Sequence, residues 1–170
     1  MYVVLMAMLA LNISTEVLNG FSIVEESLNR TTSNSSKENE SIYSDFLEQM
    51  KTNPEKVKAW FDKATMVKQM SDSLYNYAQS LKEQIVKEAD GDDADLNNIV
   101  GKDNLEAAAH VMLAPGTGQG KKLYDAINSY RERILKMVND DHQRQLIAEN
   151  LSTKIPKKGN ALGKNWQEYM

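Results

Sequence analysis

The sequence predicts an all-α protein in which a single N-terminal transmembrane helix is followed by an antiparallel helical bundle. Three observations lead to this prediction. The chain opens on an apolar stretch, and its later segments repeat apolar residues at three-and-four spacing, the period of a helix that packs on one face. The 170 residues also include only 3 prolines and 8 glycines, which favours long elements.

The opening stretch predicts the membrane helix. From Met1 to Leu11 the tyrosine hydroxyl of Tyr2 is the only polar side-chain group. This run is too short to cross a bilayer, which needs about 20 helical residues. Extended to Val24, the stretch would measure about 36 Å as a helix, which exceeds a hydrocarbon core of about 30 Å. We therefore expect a transmembrane helix at residues 1–22.

The start of this helix is expected to lie before residue 1. A spanning helix normally carries Lys or Arg on its cytoplasmic side, but the first basic residue here is Arg30. A cleaved signal peptide and a buried core helix are the alternatives. A signal peptide would need basic residues before the apolar run and a small-residue cleavage site after it, and the sequence shows neither.

The charges that follow the apolar run predict its orientation. All three charges before Arg30 are acidic, namely Glu16, Glu25 and Glu26. Cytoplasmic flanks are enriched in Lys and Arg, so this acidic flank is expected on the other side of the membrane. The chain from about Phe21 onward is therefore predicted to lie outside the cytoplasm.

A polar stripe on this helix predicts a binding partner. Asn12, Glu16 and Asn19 are spaced at i, i+4 and i+7, so they share one helical face. An ionisable group in hydrocarbon costs several kcal/mol, so such a face should meet protein or water. Solvation of Glu16 at the outer interface is the alternative. The predicted partner-binding residues are Tyr2, Leu5, Met6, Leu9, Asn12, Ile13, Glu16 and Asn19.

The same residues carry a family resemblance. The run MYVVLMAMLALN, continued by ISTEVLNGF to Phe21, resembles the N-terminal membrane helix of the GldM/PorM family. Members of that family are inner-membrane components of the Bacteroidota type IX secretion and gliding motor. The family pattern also has a short basic segment before this point and large β-rich periplasmic domains after it. Neither is in this sequence.

The resemblance implies a mechanical protein rather than an enzyme. It implies a single-pass protein of the bacterial inner membrane, with a cytoplasmic N-terminus and its bulk in the periplasm. The implied partners are a proton-conducting GldL/PorL-type membrane protein, a second copy in a homodimer, and further periplasmic secretion-system components. The alternative is a periplasmic ligand-sensing bundle of the chemoreceptor type. Such a sensor would need a pocket and a second membrane helix, and the sequence contains no second apolar run of about 18 residues.

Residues 23–153 are predicted to form the periplasmic bundle. Thr31–Glu40 is almost wholly polar, and its Ser and Asn content favours a break, with the exposed part of a long helix as the alternative. Pro54 marks a helix start, and the helix should run to about Ala89. Its apolar stripe consists of Val57, Trp60, Phe61, Ala64, Val67, Leu74, Ala78, Leu81 and Ile85.

Shorter helices complete the bundle. Asp103 or Asn104 can cap a helix over LEAAAHVML, a long helix follows at residues 121–139, and Asp140–Asp141 restart a short one. Residues 154–170 are predicted to be a basic linker and the start of the next periplasmic domain. The Trp and Tyr of that segment have little to pack on unless they fold back on the bundle or that domain is present.

The remaining motifs predict no catalytic, metal or cofactor site. The chain has no cysteine, and its net charge of -4 disfavours nucleic-acid binding. An EF-hand started at Asp93 would place Asn104 where a bidentate Glu is needed. The glycines of residues 116–120 are too close together for a phosphate-binding loop, and Lys122 replaces its Ser or Thr. His110 and His142 are predicted to be ordinary helix residues.

Overall fold

The computed structural model describes residues 15–156 and 162–169, and these residues form helices and loops with no strand among them. The predicted all-α class is therefore confirmed. The chain divides into two compact units, the first ending at Asp62 and the second beginning at Lys63.

The described residues contain two long helices followed by four shorter ones. Helix α1 is Thr15–Thr52 and α2 is Pro54–Asp90, which a single 3-10 turn at Gly91–Asp93 follows. The shorter helices are α3 (Leu105–Leu113), α4 (Gly120–Met137), α5 (Asp141–Asn150) and α6 (Trp166–Tyr169). The helix starts predicted near Pro54, Asn104 and Asp140 are confirmed.

Helix α1 runs without interruption through the polar stretch. The break favoured for Thr31–Glu40 is wrong, because all these residues are helical with exposed side chains. The Thr31 hydroxyl donates to the carbonyl of Ser27 at 2.9 Å, so this side chain bonds to the helix rather than competing with it. Extending a formed helix orders one residue for each new hydrogen bond, whereas a second nucleus costs much more.

Within the first unit, α1 and the beginning of α2 form a helical hairpin around Asn53. Proline at the first position of α2 loses no hydrogen bond, because that backbone nitrogen has no partner inside a helix. Beyond the reversal, the rings of Tyr43 and Phe61 stack with centroids 5.7 Å apart. Trp60 was predicted on the same stripe, but it is 63% exposed. Consecutive helical residues point about 100° apart, so Trp60 and Phe61 project from α2 in different directions.

Within the second unit, α2 and α4 lie antiparallel. The hydroxyls of Ser71 and Tyr130 are 2.7 Å apart, and the Tyr77 hydroxyl donates to Gln119 Oε1 at 3.5 Å. Residue numbers therefore rise along α2 as they fall along its partner. Among the described residues, the buried apolar side chains belong to α2, α3 and α4, and they are Leu81, Val86, Ala107 and Ile134.

The carboxylate of Asp90, at the end of α2, closes the acidic loop, which contains Asp92, Asp93 and Asp95. Asp90 Oδ2 accepts from the backbone N–H of Val100 at 2.9 Å, and its Oδ1 accepts from that of Gly101 at 2.6 Å. The side chain of Asn104 then caps α3 by accepting from the backbone N–H groups of Glu106 and Ala107. The side chains of Asp90 and Asn104 thus each accept hydrogen bonds from backbone N–H groups that would otherwise lack partners.

The glycine-rich segment reverses the chain between α3 and α4. Gly116 has φ 80°, which disfavours other residues. A Cβ on Gly118 would lie 2.7 Å from the carbonyl oxygen of Met112 and 2.9 Å from that of Ala114. Carbonyl groups at the C-terminal end of α4 also have a hydrogen-bond partner, because the Arg144 guanidinium donates to those of Leu135 and Val138. These contacts fix the short helices against α4.

Candidate partner-binding surface

The predicted partner-binding residues fall mainly on the N-terminal segment. Glu16 and Asn19 lie in the first turns of α1, and both are exposed. The others lie outside the described residues, and they are Tyr2, Leu5, Met6, Leu9, Asn12 and Ile13. The predicted transmembrane helix at residues 1–22 also lies for the most part outside them. Across residues 15–156 and 162–169, no helix combines the length and the apolar character that a membrane crossing requires.

A row of exposed apolar side chains follows on α1. We call Val17, Phe21, Val24 and Leu28 the α1 seam. Their exposed fractions are 49%, 68%, 54% and 61%, respectively. The spacing of four, three and four residues is that of the a and d positions of a coiled coil. An apolar row at this spacing is typical of a helix that pairs with another helix, although Ile23, on another side of α1, is exposed as well.

The α1 seam and the polar stripe occupy opposite sides of the helix. At about 100° per residue, the seam residues lie within about 60° of one another. By the same rotation, Glu16 and Asn19 lie more than about 90° from the centre of the seam. The sequence prediction assigned partner contact to the eight residues named above, included Phe21 in the transmembrane helix at residues 1–22, and left Val24 and Leu28 in the bundle that begins at residue 23. The four-three-four spacing was the signal for a separate contact surface.

The residues beside the α1 seam permit a second copy to pack against it. In a parallel pair of identical helices, Gly20 would face Glu25, and Ser27 would face Thr32. Neither pair places like charges together, so self-pairing of the seam meets no electrostatic opposition. The seam therefore has the geometry and the flanking chemistry of a self-complementary interface.

The second unit contains an open groove between α2 and α4. Its volume is about 400 Å³, and it is lined by Met66, Gln69, Met70, Ser73, Leu74, Tyr77, Ala126, Ser129, Tyr130 and Arg133. Burial raises the pKa of the Tyr77 hydroxyl above its usual value, so this group is neutral at physiological pH. The Tyr130 hydroxyl is already hydrogen-bonded to Ser71. Arg133 is the one side chain of this lining that carries a full charge.

The sequence motifs dismissed for metal and phosphate have structural roles. No cluster of three metal-ligating side chains occurs within the described residues. His110 Nδ1 lies 2.7 Å from Glu88 Oε1 and links α3 to α2. Both oxygens of Asp90 accept backbone hydrogen bonds.

A comparison with protein families identifies the chain. The model of the GldM N-terminal domain matches residues 16–170. The chain belongs to the GldM family. The family resemblance of residues 1–21 and this match agree, although they rest on largely different residues. None of the curated proteins matches the chain significantly.

The match to the GldM domain extends over all the helices of the described residues. The match begins at Glu16 in α1 and continues through α6, so the seam and the groove are both features of a GldM domain. GldM membership indicates a component of gliding motility and type IX secretion. It gives no support to the ligand-sensing alternative.

Proposed function

We propose that this GldM chain is an inner-membrane motor component of the type IX secretion and gliding machinery. Its N-terminal helix binds a proton-conducting GldL/PorL-type membrane partner, and a homodimer carries motion across the periplasm. The observation that supports this most directly is α1 itself. It continues as one helix from Thr15 to Thr52 and exposes the α1 seam, which begins within the predicted membrane segment at Val17 and continues beyond it to Leu28.

The two sides of α1 suit two different neighbours. On one side, Glu16 and Asn19, which continue the stripe that the sequence begins at Asn12, provide hydrogen-bonding groups for a membrane partner, each worth about 1 kcal/mol between membrane helices. The apolar seam on the opposite side provides a contact for a second copy. One helix can therefore bind the partner and the second copy at the same time.

The continuity of α1 supports a mechanical role. A broken segment at residues 31–40 would let the two ends of α1 rotate independently. The observed helix instead has a closed ladder of backbone hydrogen bonds across that stretch. A rotation or displacement applied near the seam is therefore passed along the helix toward Tyr43.

The seam is tested by pairing of differently tagged full-length copies in membranes. Phe21→Ser together with Leu28→Ser should reduce co-purification of the two copies and should impair secretion. Ile23→Ser is the matched control, because Ile23 is 69% exposed but lies off the seam. If copies of the double variant co-purified as well as copies of the parent chain, the seam would not be part of the dimer interface.

The membrane partner is tested by exchanging the N-terminal helix. Residues 1–20 are replaced with a Leu/Ala helix of equal length, and co-purification with the GldL/PorL-type protein is measured. We expect partner binding and secretion to fail while the far-ultraviolet circular dichroism of the bundle is retained. If the exchanged chain still bound the partner fully, the N-terminal helix would act only as a membrane anchor and not as the binding element.

The orientation is tested with a single introduced thiol. The chain has no cysteine, so Thr117→Cys in the exposed reversal would be its only thiol. An impermeant maleimide should label this position in intact spheroplasts. Labelling only after lysis would place the bundle in the cytoplasm and contradict the motor proposal.

A further inference from the structure

The C-terminal helix α6 lies directly against α4. The rings of Trp166 and Tyr124 are 5.7 Å apart between centroids and inclined by 56°. A Cβ built on Gly120 would lie only 2.7 Å from the Cβ of Gln167. Gly120 is buried at the first position of α4, so the absence of its side chain leaves the space into which α6 fits. Helix α6 therefore rests on α4 through one aromatic pair and the space at Gly120, and it also lies against α3.

The helical form of α6 depends on this seat. Asn165 and Glu168 form a reciprocal cap, in which each side chain accepts from the other residue's backbone N–H at 3.0–3.1 Å. A helix of 4 residues is nevertheless far shorter than any that is stable alone in water. Docking and helix formation are therefore a single event, and α6 is either docked and helical or detached and unfolded.

A second attachment lies earlier in the chain. The buried Thr153 hydroxyl donates to Asn128 Oδ1 at 3.0 Å, and Arg131 donates to the carbonyl of Leu151 at 3.0 Å. These bonds hold the end of α5 to the middle of α4. The chain is thus attached to α4 at two places, one at residues 151–153 and one at α6.

We propose that α6 is a detachable strap. Tension on the C-terminal end of the chain releases α6 from Gly120 as one unit, while the attachment at Thr153 and the helices α2 to α5 stay folded. Among the side chains described in α6, Trp166 and Gln167 are half-buried and Glu168 is exposed, whereas the core joins buried side chains from three helices. Release leaves the chain held at Thr153, and the 16 residues from 154 to 169 span at most about 55 Å when fully extended. This property depends only on contacts within the second unit and holds whether or not the motor proposal does.

The seat is tested with the full-length chain and a tryptophan reporter. Trp60→Phe leaves Trp166 as the only tryptophan. In this background, Gly120→Ala should shift the Trp166 emission to longer wavelength and raise amide exchange at residues 165–169 about tenfold. The new Cβ would also lie 3.0 Å from the carbonyl oxygen of Met112, so the far-ultraviolet circular dichroism of each variant is compared with that of the parent chain. Adding Gln167→Gly removes the clashing Cβ and should restore the blue-shifted emission at least in part. A solvent-exposed Trp166 before any change at Gly120, or no response to Gly120→Ala, would overturn the proposal.

The strap itself is tested by pulling on single molecules. Handles are attached to the full-length chain through cysteines that replace the exposed Lys82 and the terminal Met170. We expect a first extension of no more than about 55 Å, followed at higher force by unfolding of the core. Gly120→Ala should abolish the first step, while unfolding of the core remains a separate event. A single unfolding step in the parent chain would show that α6 does not detach separately.

Discussion

The rings of Tyr43 and Phe61 stack at 5.7 Å with an interplanar angle of 27°, and this pair fastens α1 to the beginning of α2. Asn53 is the single residue between the two helices, and Pro54 at the start of α2 does not by itself fix the direction of the chain before it. The aromatic contact joins Tyr43, before Asn53, to Phe61, after it, and so holds the two helices together. The first unit therefore depends on this pair for its hairpin.

The first prediction concerns that pair. Tyr43→Ala and Phe61→Ala in a double-mutant cycle should give a coupling energy of about 0.5–1.5 kcal/mol in chemical denaturation. Ile42→Ala is the matched control, because Ile42 precedes Tyr43 on α1 but is 51% exposed. Its coupling to Phe61→Ala should be near zero. Equal coupling for both pairs would mean that ring stacking does not hold the hairpin.

The second prediction concerns the closure of the acidic loop. Asp90→Ala leaves the N–H groups of Val100 and Gly101 without their acceptor, which should lower the free energy of unfolding by about 1–3 kcal/mol. Amide exchange at these two residues should accelerate. Asp93→Ala, an exposed carboxylate in the same loop, should change the stability by less than about 0.5 kcal/mol. If both variants lowered the free energy of unfolding by similar amounts, the cause would be the change in net charge rather than the lost hydrogen bonds.

The third prediction is that folding needs neither metal nor nucleotide. The oxygens of Asp90 are engaged by backbone donors, so calcium would have to displace two hydrogen bonds to bind there. Thermal melts in EDTA, in calcium and in ATP should coincide. An increase of several degrees in the melting temperature with calcium would identify the acidic loop as a cation site.

The fourth prediction compares two glycines. Gly118→Ala should destabilise the second unit strongly, because the new methyl group would press against backbone carbonyls that cannot rotate away. Gly20→Ala has no atom within 4 Å and lies inside α1, so it should stabilise that helix by about 0.5–1 kcal/mol. Circular dichroism and thermal melts measure both effects. A stabilising Gly118→Ala would mean that the α3–α4 reversal is looser than described.

Local signals carried most of the sequence prediction. Pro54, Asn104 and Asp140 act within one helical turn of the ends they mark, so their effect can be read without knowing the fold. The polar stretch Thr31–Glu40 misled the prediction because Ser and Asn preferences are weak. They lose to the continuation of a helix that is already formed on both sides.

Long-range contacts could not be predicted in the same way. The sequence offered two settings for Trp166, and only the packed structure shows the one in which it meets Tyr124. The burial of Gly120 under Gln167 likewise depends on two segments that are distant in sequence. The α1 seam was recognisable as apolar spacing, but whether a neighbour within the chain covers it depends on the tertiary structure.

The uninterrupted course of α1 fixes a rotational phase between the seam and Tyr43. Each residue added between Leu28 and Tyr43 turns one relative to the other by about 100°. An insertion of one heptad changes the phase by only about 20°, whereas an insertion of two residues moves the seam to nearly the opposite side. The exposed residues 31–40 are therefore tolerant of substitution but not of arbitrary insertion, since their number, rather than their identity, sets the direction in which the seam points.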